Sequence, residues 1–89
     1  MPRVIATHGV GNMETWLAGG AERAELFKKF SGSYRIYRHP KESKVAVVWE
    51  NADLKKLEAA LAHPDTAKAE ARHTVKEPIE IYVEVEGGR

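Results

Sequence analysis

The chain has 89 residues, with 14 Lys and Arg against 13 Asp and Glu, four His and no Cys. Disulfides and thiolate metal sites are excluded, and a net charge near zero gives no long-range field for nucleic acid or an anionic membrane. A domain this small buries only ~60–65% of the surface of its unfolded chain, so a partner subunit is the simplest way to bury more apolar surface.

One domain spanning residues 1–89 is expected. Val4 to Val10 is apolar and β-branched, with Gly9 and Gly11 at its end, and reads as a first strand. Asn12 is a suitable N-cap, and Glu14 suits the first helical turn. Trp16, Leu17, Ala21, Ala24, Phe27 and Phe30 follow at helical spacing. Gly19-Gly20 weakens that helix by ~1 kcal/mol per glycine and marks a kink or a close packing contact. Ser31-Gly32-Ser33 ends it.

Tyr34 to Arg38 is the second strand, His39 to Ser43 a turn, and Lys44 to Glu50 the third strand, so the two make an antiparallel hairpin. Asn51 or Asp53 caps a second helix carrying Leu54, Leu57, Ala60 and Leu61. Pro64 interrupts it and reopens a helix that runs to about Arg72. Lys76-Glu77-Pro78 reads as a break, and Ile79 to Val85 alternates as the last strand. Gly87-Gly88-Arg89 is expected to fray. The start, Met1-Pro2-Arg3-Val4, lacks the apolar core of a signal peptide, and apolar runs such as Val45 to Trp49 are too short to span a bilayer. The expected location is the cytoplasm, with no membrane and no nucleic acid as partner.

The order strand, helix, strand, strand, helix, strand is the ferredoxin-like βαββαβ motif, an α+β fold. Right-handed crossovers put both helices on one face of a four-stranded antiparallel sheet and leave the other face open. Strands one and three are apolar on both sides, so the open face needs a cover. Glu80, Glu84 and His8 are expected to share that face with Tyr82, which suggests a partly polar cavity under an identical subunit.

His8-Gly9-Val10-Gly11-Asn12 with Trp16 resembles the His-x-Val-x-Asp/Asn-x-x-x-Trp start of small bacterial dimeric α+β barrel proteins. Asp53-Leu54, Ala62-His63-Pro64, and Val75 with Pro78 look like the same group. Its wider superfamily includes antibiotic-biosynthesis-type monooxygenases and polyketide-cyclase-like proteins. The resemblance implies a homodimer, a dimeric α+β barrel whose two sheets face each other around a cavity. Asn12 stands where Asp is commoner, and His73-Thr74 where Ala-Gly is more usual.

His8 is a candidate general base near neutral pH. The plainer reading is a hydrogen-bonded histidine fixing the strand end, because no orienting partner is legible. Tyr37, Trp49 and Tyr82 are candidate ligand-binding residues for a flat or apolar molecule, set against plain core and interface packing. Glu80 is a candidate cavity carboxylate or a solvated edge residue. His39, His63 and His73 have no ligand spacing, so no metal is expected. Gly9-Val10-Gly11 lacks the rest of a dinucleotide loop, and no cofactor is expected. Three functions compete: a dimeric barrel binding a small, partly apolar molecule in a cavity between or beside the sheets; a cofactor-free monooxygenase or cyclase; and a structural dimer with no ligand.

Overall fold

The computed structural model describes residues 2–85. The strands are β1 (Val4–Val10), β2 (Ser33–Arg38), β3 (Lys44–Glu50) and β4 (Val75–Val83), and the helices are α1 (Met13–Ala18), α2 (Gly20–Phe27), α3 (Leu54–Ala62) and α4 (Pro64–Arg72). The sheet order is β2-β3-β1-β4, with every neighbouring pair antiparallel. This is the ferredoxin-like α+β arrangement with each crossover built from two helices.

Local chemistry explains the helix boundaries. Asn12 Oδ1 accepts from Thr15 N at 3.0 Å and starts α1, and Asp53 Oδ1 accepts from Lys56 N at 3.2 Å and starts α3. Pro64 opens α4 at its first turn, where a missing N–H is harmless. The expected kink at Gly19-Gly20 is a full break between α1 and α2. Gly19 packs against the His73 ring, so the weak helix formers also serve a close approach.

The last strand begins earlier than its alternation suggests. β4 starts at Val75, so Lys76-Glu77-Pro78 lies within the strand rather than before it. Two facts allow a proline there. β4 is an edge strand, and the register with β1 shifts between Thr7 and Gly9. Across that bulge His8 alone stands opposite residues 77–79, so Pro78 sits where ladder pairing is already interrupted. The glycine-rich end at 87–89 lies outside the described residues.

Register assigns the faces. Val4 pairs with Trp49 and Val83, and Ala6 with Val47 and Ile81. Of these, Val4, Ala6, Val47 and Trp49 join Trp16, Phe27, Phe30, Leu57 and Ala60 from the helix side in the core, while Ile81 and Val83 on the edge strand are exposed. An aromatic cluster anchors one end. Phe27 meets Tyr34 and Trp49 edge to face at 4.9 and 5.2 Å between ring centroids, and Phe30 meets Trp49 at 5.1 Å. This geometry sets positive ring edges against negative faces. The other face carries Ile5, Arg35, Tyr37, Ala46, Val48, Glu80 and Tyr82. No described helix is long and apolar enough to cross a membrane.

Candidate functional site

A cavity of about 570 Å³ lies between the helices and the sheet. Ala6, Val47 and Trp49 border it from the sheet, Leu26, Phe27 and Phe30 from the α2 side, and Ala60 and Ala69 from α3 and α4. Its size falls in the range of small-molecule sites, which are apolar with a few polar groups. Its most buried polar groups include His8, Arg23 and His73 near Trp16, and charged side chains such as Glu22, Lys56 and Glu70 lie along its border.

His8 projects to the helix side because it pairs with the core residue Val45. Its Nδ1 lies 2.8 Å from Gly9 O. A carbonyl only accepts, so Nδ1 carries the proton and Nε2 keeps its lone pair. Burial holds the imidazole below the usual histidine range, against the Gly9 bond, and the Arg23 charge lowers it further. The ring is therefore neutral at pH 7. It meets the Trp16 ring in an edge-to-face arrangement, 6.0 Å between centroids and 64° between planes.

Arg23 lies across the opposite part of this assembly. Its guanidinium carbon sits 3.7 Å from the Trp16 ring centroid, a cation–π contact. Nη1–H donates to Trp16 O, a carbonyl in the last turn of α1 that also accepts from Gly19 N at 3.1 Å, and approaches His73 Nδ1 at 3.4 Å. Guanidinium only donates, so His73 Nδ1 accepts. His73 Nε2–H then donates to Glu22 Oε1 at 2.7 Å, and Glu22 also holds Arg72. Glu22, His73 and Arg23 thus form a chain from the surface to Trp16.

Arg23 and His73 are both buried, and neither stood out in the sequence as a functional residue. Arg23 carries one readable signal: it falls seven residues after Trp16 and four before Phe27, a charge within an apolar stripe. His73 carries none, because its partners are 50 residues away.

The sheet separates the five residues singled out in the sequence. His8 and Trp49 border the helix-side cavity, and Trp49 is 3% exposed within the core. Tyr37, Glu80 and Tyr82 lie on the opposite face, where Tyr82 Oη–H donates to Glu80 Oε2 at 2.8 Å and raises the phenol pKa. His8 therefore does not share a face with Glu80 or Glu84. Apolarity on both sides of β1 and β3 hid which side received the helices. Among the described residues no group of three or more His, Cys, Asp or Glu is placed to hold a metal.

The sequence matches no protein-family model, and no curated protein matches it. Solved structures do match. Protein Atu4242 from Agrobacterium tumefaciens has a TM-score of 0.69 at 15% identity, covering 99% of this chain and 97% of that one. A crystal structure of an antibiotic biosynthesis monooxygenase has a TM-score of 0.60 at 15% identity, over 93% and 95% of the two chains. SnoaB from Streptomyces nogalater, a cofactor-independent oxygenase, has a TM-score of 0.60 at 15% identity, over 91% and 88%. The chain therefore has the fold of the antibiotic-biosynthesis-monooxygenase-like α+β barrel proteins. At these identities the likeness concerns fold alone.

Proposed function

We propose that this chain binds a small, flat, largely apolar molecule in the cavity between its helices and its sheet. The observation that carries this is the cavity itself, about 570 Å³ and walled by Phe27, Phe30, Trp49 and Val47 with a few polar groups around Trp16. A core of this size without a ligand role would be expected to close up, since interiors pack to crystal-like density. Titration with naphthalene- and anthracene-sized compounds, read by quenching of Trp16 and Trp49 fluorescence, tests it. Saturable quenching that is lost in Ala60→Trp, which fills the cavity, supports the reading. Unsaturable quenching, or quenching unchanged in that variant, refutes it.

A cofactor-free oxygenase is the second reading, and the state of His8 favours it. A neutral imidazole with a free Nε2 lone pair on the cavity wall is equipped to take an acidic proton from a phenolic substrate. The fold is shared with SnoaB, itself a cofactor-independent oxygenase. Oxygen uptake with a panel of aromatic polyketide-like phenols is the measurement. Turnover that survives His8→Ala unchanged removes His8 as the base.

The face that carries Ile5, Ala46, Val48, Tyr37 and Tyr82 is proposed to meet the same face of a second copy. Tyr37 and Tyr82 are each about half exposed in the single chain. Strands apolar on both sides are otherwise found covered on both sides.

A further inference from the structure

We infer that the ligand carries an anionic oxygen, a carboxylate or a phenolate, which pairs with the Arg23 guanidinium. This rests on the reading that the helix-side cavity is the ligand site, and it names the chemical class of that ligand.

Arg23 is a cation 7% exposed, and none of its described partners is a carboxylate. Nη1 is engaged by two neutral acceptors, Trp16 O and His73 Nδ1, and the face of the guanidinium by the Trp16 ring. Its Nε–H is buried without an acceptor. The carboxylates bordering the same cavity are committed elsewhere: Glu22 to Arg72 and His73, Glu25 to Lys28, and Asp65 to His63. Glu70, half-buried on α4, is pushed toward its neutral form by burial and by Glu77. Glu22 acts on the Arg23 charge only from beyond His73, and a buried charge with no carboxylate in direct contact is among the more expensive features a core can hold. The stack on Trp16 and the His73 contact fix the guanidinium in place rather than neutralise it. The buried indole N–H of Trp16, on whose ring Arg23 stacks, also lacks an acceptor, so donors are in excess around Arg23. An anionic oxygen from the ligand supplies the missing charge, and Arg presents a planar fork suited to it.

The test compares 2-naphthoate with 2-naphthamide, which has nearly the same shape and no charge, by fluorescence titration and calorimetry on the full chain. Wild type is expected to bind the naphthoate at least ten-fold more tightly. Arg23→Lys should keep part of that preference, and Arg23→Met should erase it while still binding the amide. If wild type binds the two equally, or if the preference survives Arg23→Met, the inference is overturned and the cavity reading stands. If neither probe binds wild type, both fall. Equal binding of the two probes by wild type overturns the inference even if Arg23→Met fails to fold, and a preference undiminished in Arg23→Lys does so too.

Discussion

A methyl group added at Gly19 would press into the His73 ring, 2.6 Å from Cε1 and 2.7 Å from Cδ2, well inside van der Waals contact. Gly19→Ala should therefore destabilise the chain by about 1–3 kcal/mol, the usual range for overpacking. The same change in a His73→Ala background should be close to neutral, because the Gly19 backbone at φ −82° suits alanine. Urea denaturation of the four proteins measures the coupling, and simple additivity would disprove the contact. At the same scale, His8 links stability to pH. Its folded pKa lies below its unfolded one, so above about pH 6.5 neither state binds the proton and stability is at its full value. As pH falls below about 6.5 the unfolded state takes up the proton first, and stability drops. His8→Gln should flatten this part of the urea midpoint against pH relative to wild type. An unchanged profile would show that His8 is not held neutral by the fold.

Elements are joined at the turn ends around Thr74. Its backbone has φ 60°, an uncommon conformation for a β-branched residue. Its carbonyl accepts from Gly11 N at 2.7 Å, and its hydroxyl accepts from Asn12 N at 2.9 Å and donates to Asn12 O. These bonds tie the start of α1 to the start of β4. Asn12→Ala removes the α1 cap and should cost about 1 kcal/mol. Thermal melts of that variant should fall, whereas Asn12→Ser or Asn12→Asp should hold near wild type. Equal losses in all three would place the stabilisation outside the cap. Phe27 sits at the centre of the aromatic cluster, and Phe27→Ala should lose about 3–5 kcal/mol, enough to unfold much of a domain this small.

For the whole molecule, the proposal of a second copy on the helix-free face gives a concrete mass. Sedimentation at micromolar concentration should return twice the 9.9 kDa of one chain. Val48, paired with Ile5 and Arg35 on that face, is the position to perturb. Val48→Glu sets a charge against the opposing copy and should shift the particle to single-chain mass with its circular dichroism unchanged. A wild type that sediments as one chain would remove the second copy from the account. The helix-side cavity would be untouched by that result, because the sheet separates the two faces.

Strand and helix positions were legible in the sequence because they follow from local periodicity, capping residues and proline. The alternation in Ile79–Val83, the caps at Asn12 and Asp53, and the helix restart at Pro64 all depend on neighbours within a few residues. The antiparallel sheet with its helices on one face followed from connection rules acting on those elements. Placement of the chemistry was not local. Alternation separates a strand into two sides but does not say which side meets the helices when both are apolar, so His8 and Trp49 could not be parted from Tyr37, Glu80 and Tyr82 in advance. Nor does it bring residues 50 positions apart together, as Arg23 and His73 are. That juxtaposition, and the buried charge it leaves beside the cavity, arises only when α2 and the end of α4 pack over the same sheet.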